Sequence, residues 1–180
     1  METYISILRG INVGNKQVNM KELKALFEGL GFERVQTYIQ SGNVIFQKEK
    51  TSELDLVGQL EKAISSKFGF DVPVIVRDTK EWEKTVNNNP FLKEKDIKTD
   101  KLHVTFLSEE PEKSNLDKAN SYNYEPDRFI IIGKDVYVYC PNGYGITKIN
   151  NAFFESKLKV SATTRNWKTV NELYKLSAAY

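Results

Sequence analysis

The sequence predicts an α+β protein made of two tandem ferredoxin-like halves, each a split βαβ unit of the α/β-plait type, with an extra C-terminal helix. Apolar strand-like runs alternate with amphipathic helical stretches, and the order strand, helix, strand, strand, helix, strand occurs twice along the 180 residues. We therefore divide the chain into a first half over 1–79, a helix and connector over 80–101, and a second half over 102–180.

The first half contains each element of the unit. The apolar run 4–8 predicts a buried strand, and Asn19, with Glu22 three residues later, marks the start of an amphipathic helix that ends at Gly31. Strands follow over 35–40 and 44–47, joined by the turn 41–43. Ser52 then caps a helix that Gly69 stops, and 72–76 is the fourth strand.

The second half nearly repeats this pattern after a short helix over 79–86 and an Asn- and Lys-rich connector. Its predicted strands cover 102–107, 128–132, 136–140 and 160–163, and its helices lie near 113–121 and 152–158. A last helix over 165–178 starts after a Thr cap and buries Trp167 and Leu173.

Composition excludes several kinds of site. One cysteine, Cys140, cannot form an intrachain disulfide, and with His103 as the only histidine neither a multi-histidine metal centre nor a bound cofactor is predicted. His103 lies in an apolar run and is interpreted as a packed strand residue. No apolar run reaches the length of a membrane span, so we expect a cytoplasmic protein without a membrane partner.

Two pairs of loops are candidate binding sites. In a split βαβ unit the first two strands run parallel, so the loop after the first strand should meet the turn between the second and third. The first pair would bring six residues together, namely Arg9, Asn12, Gly14, Ser41, Gly42 and Asn43. Glycine and asparagine are equally typical of ordinary tight turns, so the turn interpretation remains open.

The second pair consists of the loop 141–145 and the start of the last helix, where Thr164, Arg165 and Asn166 lie. A helix start is positive by its dipole, and this one also carries basic side chains. Residues 144–180 hold six basic and two acidic residues, whereas the net charge of the whole chain is only +2. A solvated, lysine-rich helix face would explain the same pattern.

The motifs RGINVG at 9–14, TYIQSGNVIF at 37–46 and TTRNW at 163–167 together resemble the bacterial family called domain of unknown function 1697. The resemblance spans nearly the whole chain and implies a cytoplasmic α+β protein of two plait-like halves, without a settled activity. Recurrent polar residues of the family correspond here to Arg9, Asn12, Ser41, Asn43, Arg165 and Asn166. Asn15 stands where family members often carry glycine.

The leading hypothesis is binding of a small anionic ligand, phosphate- or nucleotide-like, at these loops. One alternative is single-stranded RNA binding, with Tyr4 and Phe46 as stacking aromatics. Another is a small enzyme that uses Ser41 as a nucleophile or Arg165 to stabilise negative charge, although no general base is evident. The oligomeric state is left open.

Overall fold

The computed structural model describes residues 1–180 and contains two four-stranded antiparallel sheets and six α-helices in the expected order. The strands are β1 (Glu2–Leu8), β2 (Glu33–Tyr38), β3 (Asn43–Lys48), β4 (Val74–Asp78), β5 (Leu102–Leu107), β6 (Arg128–Ile132), β7 (Asp135–Tyr139) and β8 (Ala162–Asn166). The helices are α1 (Met20–Gly29), α2 (Glu53–Phe68), α3 (Thr79–Asn87), α4 (Lys113–Asn120), α5 (Asn151–Leu158) and α6 (Trp167–Ala178). None of them combines the length and apolar character needed to cross a bilayer.

The first sheet has the strand order β2-β3-β1-β4, and every neighbouring pair is antiparallel. Because β3 pairs antiparallel with both β1 and β2, those two strands are parallel and β3 lies between them. This is the ferredoxin-like arrangement that the sequence predicts. The ends of β1 and β2 consequently lie at the same edge of the sheet.

The core of the first half lies between this sheet and the helices α1 and α2. Phe27 and Phe32 pack against Phe46, with ring centroids 5.5 and 4.5 Å away. Asn19 caps α1 by accepting hydrogen bonds from the backbone N–H groups of Lys21 and Glu22. The apolar face of the amphipathic helix α1 therefore packs into an aromatic core.

The opposite face of this sheet is apolar and buried as well, because alternate strand residues point to opposite faces. Ile5, Ile7 and Ile45 have no exposed surface. The two aromatics considered for base stacking, Tyr4 and Phe46, stack on each other at 5.7 Å and are 3% and 0% exposed. Both side chains belong to the core, so neither offers an exposed face for stacking RNA bases.

The second sheet repeats the topology with the order β6-β7-β5-β8, again antiparallel throughout. Its helix-covered face forms a core with α4 and α5, in which Phe153 and Phe154 contact Phe129 edge-on. Its other face carries the fully buried Val104 and Phe106. Because β5 pairs antiparallel with both β7 and β8, those two strands are parallel and β5 lies between them.

Contacts divide the chain into two compact units, residues 1–84 with 172–180, and residues 85–171. The end of the chain groups with the first unit through tyrosine hydroxyls. That of Tyr174 donates to Glu83 at 2.8 Å, and that of Tyr180 donates to the carbonyl oxygen of Arg34 at 2.8 Å.

The last strand and helix differ from the sequence prediction. The strand was expected over 160–163 and the helix from residue 165, but β8 extends to Asn166 and α6 begins at Trp167. Pairing with β5 accounts for the shift, because Asn166 lies opposite His103 in the ladder and is held extended. Thr164 and Arg165 are therefore strand residues, and the expectation that Thr164 caps the helix is wrong.

Candidate ligand-binding loops

The two loops of the first half lie side by side, as the crossover rule predicts. Asn12 Nδ2 donates to the carbonyl oxygen of Gln40 at 2.6 Å, and the N–H of Leu8 donates to the carbonyl oxygen of Gly42 at 2.9 Å. Asn12 adopts a left-handed backbone with φ of 56°, and its Oδ1 accepts from the N–H of Val18 at 2.8 Å. One asparagine side chain thus connects three segments of the rim.

Gly42 is required at this junction for two reasons. Its φ of +79° lies in the region that favours glycine, and a Cβ at this position would lie 2.6 Å from Ile11 Cδ1 and 2.8 Å from Leu8 Cβ. Gly14, at φ +62°, has open space where a Cβ would lie, with no atom within 4 Å, so only its turn conformation favours glycine.

The other polar residues of this rim also serve the turn. Asn43 has no exposed surface, and its Nδ2 donates to Ser41 Oγ at 2.9 Å and to the carbonyl oxygen of Tyr38 at 3.1 Å. Arg9 is partly buried, and its backbone N–H donates to the carbonyl oxygen of Pro73. The amides of this rim therefore hold the loops in place.

An open hollow of about 560 Å³ borders these loops. Its lining residues are Asn12, Gln17, Val18, Asn19, Glu22 and Gln40. The lining contains four carboxamides and one carboxylate but no cation, so its charge does not favour an anion.

In the second half, the ends of β7 and β8 lie at the same edge of the sheet, and a network of hydroxyl hydrogen bonds joins the loop after β7 to β5, β8 and the start of α5. Tyr144, in the loop after β7, donates from its hydroxyl to Thr164 Oγ1 at 3.1 Å. Thr164 Oγ1 donates to Asn151 Oδ1 at 2.7 Å and lies 2.7 Å from Thr105 Oγ1. The hydroxyl of Thr164 is fully engaged, so it positions the loop.

His103 adjoins this network on the same face. Its ring stacks on that of Tyr144 with centroids 4.6 Å apart, and in the ladder it lies directly opposite Asn166. Burial lowers the pKa of His103 below its usual value, because the buried site disfavours the charged form of the ring. The imidazole is consequently neutral at pH 7, and its buried Nδ1 has no hydrogen-bond partner.

The start of α6 is formed by Asn166, whose Oδ1 accepts from the backbone N–H of Thr169 at 2.8 Å. This is N-capping geometry, so Asn166 has the role that the sequence assigned to Thr164. The first turn of the helix holds no acidic residue and includes the exposed Lys168. The helix start therefore combines the positive end of a twelve-residue dipole with an ammonium group.

Arg165 lies on the other side of the sheet, because residues 164 and 165 of a strand project from opposite faces. Its Nη1 donates to the carbonyl oxygen of Thr164 at 2.9 Å, and burial lowers the pKa of Arg165 to about 10. Arg165 thus adds positive charge near the start of α6 from the face opposite Thr164 and Asn166.

Sequence reasoning missed the network of Thr105, Tyr144, Asn151 and Thr164. The four residues are dispersed along the chain; the pairing of β5 with β8 brings Thr105 opposite Thr164, and the folded loop after β7 and the start of α5 bring Tyr144 and Asn151 to them. Lys168 was expected among the basic side chains at the start of the last helix, and it lies there in the first turn of α6. No group of three His, Cys, Asp or Glu side chains could hold a metal ion.

Comparison with known proteins identifies a family and a structural relative. A family model described as "Protein of unknown function (DUF1697)" matches residues 1–137. The conserved bacterial protein SP0830 of Streptococcus pneumoniae has a similar structure, with a TM-score of 0.73, 26% identical residues, and 99% of each chain covered. A search of curated proteins finds no match.

Proposed function

The chain belongs to the DUF1697 family of proteins of unknown function, and we propose that its second half binds a small anionic ligand, phosphate- or nucleotide-like, at the start of α6. Asn166 Nδ2, the Lys168 ammonium and the first backbone N–H groups of the helix would contact the anion. Arg165 would contribute charge, and Thr164 would position the neighbouring loop.

The observation that carries the proposal is the convergence of two strand ends on a cationic helix start. The ends of the parallel strands β7 and β8 bring the loop 141–145 against β8, and Tyr144 joins the two through Thr164. A helix start that combines a dipole, a capping amide and basic side chains before and after it attracts anions. Screening by water is reduced for Arg165, because its guanidinium is largely removed from solvent.

The two candidate sites differ in how well they suit an anion. In the first half the amides of Asn12 and Asn43 are occupied by internal hydrogen bonds, and Glu22 lines the adjoining hollow. A carboxylate in the lining repels an anion, whereas the first turn of α6 has none. The second-half site is therefore the better candidate.

The two alternative functions receive less support. A ferredoxin-like domain that binds RNA through its sheet needs exposed aromatic residues on the open face, and here that face is buried in both halves at Ile5, Ile7, Val104 and Phe106. For the enzyme alternative, Ser41 Oγ accepts a hydrogen bond from Asn43, and no base that could activate it is evident.

A titration of the ¹⁵N-labelled full chain with inorganic phosphate, and separately with adenosine monophosphate, tests the proposal by NMR. We expect the largest amide shifts at residues 142–145 and 166–169, together with a shift of the ring signals of His103, which is the only histidine. Asn166→Asp retains the N-cap but adds a carboxylate, so it should weaken phosphate binding by about tenfold.

Asn19→Asp is the matched control, because Asn19 caps α1 in the same way and is equally exposed. It should leave phosphate affinity unchanged. Shifts that cluster around residues 12–19 and 40–43, or equal loss of affinity in both variants, would rule out the second-half site. An absence of saturable shifts with both ligands would rule out the proposal itself.

A further inference from the structure

The two sheets have equivalent outer strands, but only one of them is protected against pairing with another chain. In the first half this strand is β2 and in the second half it is β6, and each forms the edge of its sheet beside the inner strand of a hairpin. An edge strand exposes unpaired backbone groups, and proteins usually block them. The structure assigns a binding role to the unprotected edge: we propose that two copies of this chain associate by antiparallel pairing of their β6 strands.

The edge of β2 carries several protective features. Its pairing with β3 is interrupted by a register shift between Glu33 and Gln36, and Arg34 has a left-handed backbone with φ of 49°. The hydroxyl of Tyr180 donates to the carbonyl oxygen of Arg34, and the guanidinium of Arg34 lies 4.6 Å from the centre of the Tyr180 ring. Another strand cannot pair along this edge without displacing Tyr180.

The edge of β6 has none of these features. Its sequence is RFIII, without proline or glycine, and all five of its residues pair with β7 in an unbroken register. Phe129, Ile130 and Ile131 are partly exposed, and Ile132 is 48% exposed. Such a strand, regular and apolar, is the kind that associates with a further strand.

The ladder also shows which backbone groups of β6 are available. The N–H groups of Leu107 and Cys140 donate to the carbonyl oxygens of Lys134 and Lys101, so the even-numbered residues of β7 bond to β5. Its odd-numbered residues therefore bond to their β6 partners, Arg128, Ile130 and Ile132. The N–H and C=O groups of Phe129 and Ile131 consequently point away from the sheet.

A second copy is the occupant that fits these groups. When two β6 strands pair antiparallel about a twofold axis at Ile130, Phe129 of each copy faces Ile131 of the other, and the outward groups of both residues are satisfied. Every side-chain pair then contains an apolar residue. No other register within the five residues uses both outward positions of each strand.

Charge does not oppose this association. Arg128 is the only charged residue of β6, and it forms two hydrogen bonds to Glu94 at 2.7 and 3.1 Å. The chain as a whole has a net charge of +2, which is too small to keep two copies apart at physiological salt. Since a pair of five-residue strands is small compared with the ~1,200–2,000 Å² of stable interfaces, the dimer should dissociate on dilution.

Sedimentation equilibrium of the full chain from micromolar to near-millimolar concentration tests this proposal. The average mass should rise from that of the 20.7 kDa monomer toward twice that value. Ile131→Pro removes an outward N–H without breaking the β6–β7 ladder and should abolish the rise. Ile132→Lys, which leaves the backbone unchanged, should weaken association by about tenfold or more, whereas Leu54→Lys on the exposed face of α2 should have no effect.

Disulfide trapping tests the register. In the proposed pairing the two Ile130 Cβ atoms are about 5 Å apart, whereas the two Ile132 residues are separated by about 13 Å. Under mild oxidation Ile130→Cys should give a covalent dimer and Ile132→Cys should not. The native Cys140 is fully buried, so the wild-type chain gives the background level of cross-linking. A monomer at every concentration would overturn the proposal. So would a dimer that survives Ile131→Pro and fails to cross-link at residue 130.

Discussion

Replacing Gly42 with alanine tests the close contact between the two loops of the first half. The new Cβ would lie 2.6 Å from Ile11 Cδ1 and 2.8 Å from Leu8 Cβ, and both of these side chains are buried in the core. Overpacking of this kind costs about 1–3 kcal/mol. The left-handed backbone of residue 42 adds about 1–2 kcal/mol for an L-residue. We expect Gly42→Ala to lower the free energy of unfolding by about 2–5 kcal/mol.

Gly14→Ala is the control, because Gly14 has a similar φ of +62° but no neighbouring atom within 4 Å of a Cβ. It should cost only the conformational part, about 1–2 kcal/mol. Urea unfolding of the wild type and both variants, analysed by linear extrapolation, measures the difference. Equal losses for the two variants would refute the argument that Gly42 is needed for close approach.

A double-mutant cycle with Ile11→Val identifies the contact. This change removes the Cδ1 atom, the nearest to the new Cβ, and on its own should cost about 0.5–1.5 kcal/mol. In the Gly42→Ala background the same change should cost less, because it removes the closest of the overlaps with the new Cβ while the one with Leu8 Cβ remains. Strictly additive losses would show that the strain lies elsewhere.

Two further predictions concern the second half. Because burial lowers the pKa of His103, the folded state binds this proton less readily than the unfolded state, so unfolding free energy should fall as the pH drops below about 6.5. In His103→Gln the urea midpoint should depend less on pH as the pH falls below about 7.5. An unchanged dependence would contradict the conclusion that burial lowers the pKa of His103. Asn150→Ala removes the side-chain oxygen that accepts from the N–H of Phe153 at 3.0 Å, so it should cost about 1 kcal/mol in urea unfolding, whereas Asn150→Asp should be nearly neutral.

The periodicity of the sequence was sufficient for the elements whose cause is local. Asn19 marks the start of α1 because a side-chain oxygen at an N-cap needs only the next residues of its own helix. Gly69, with φ of 80°, ends α2 for an equally local reason. The same is true of the two-residue turn at Gly133 between β6 and β7.

Elements that depend on distant partners were predicted less well. The end of β8 and the cap of α6 were misplaced because Asn166 is held extended by its pairing with His103, 63 positions earlier in the chain. Tyr4 and Phe46 gave no local indication of the face on which they lie, and packing against the helices places them in the core. Local propensity cannot report a contact whose partner is far away in sequence.

The candidate site also combines features that the sequence predicts with features that depend on the folded structure. The residues Asn12 and Ser41, and the crossover geometry that brings their loops together, could be inferred from the sequence, because strand order constrains where loops can meet. The structure decided that the side chains of Asn12 and Asn43 are used within the rim, that Thr164 and Arg165 project from opposite faces, and that Asn166 caps α6 in place of Thr164. Direction of projection and hydrogen-bond partners arise from the paired strands, whose register appears only when the chain is folded.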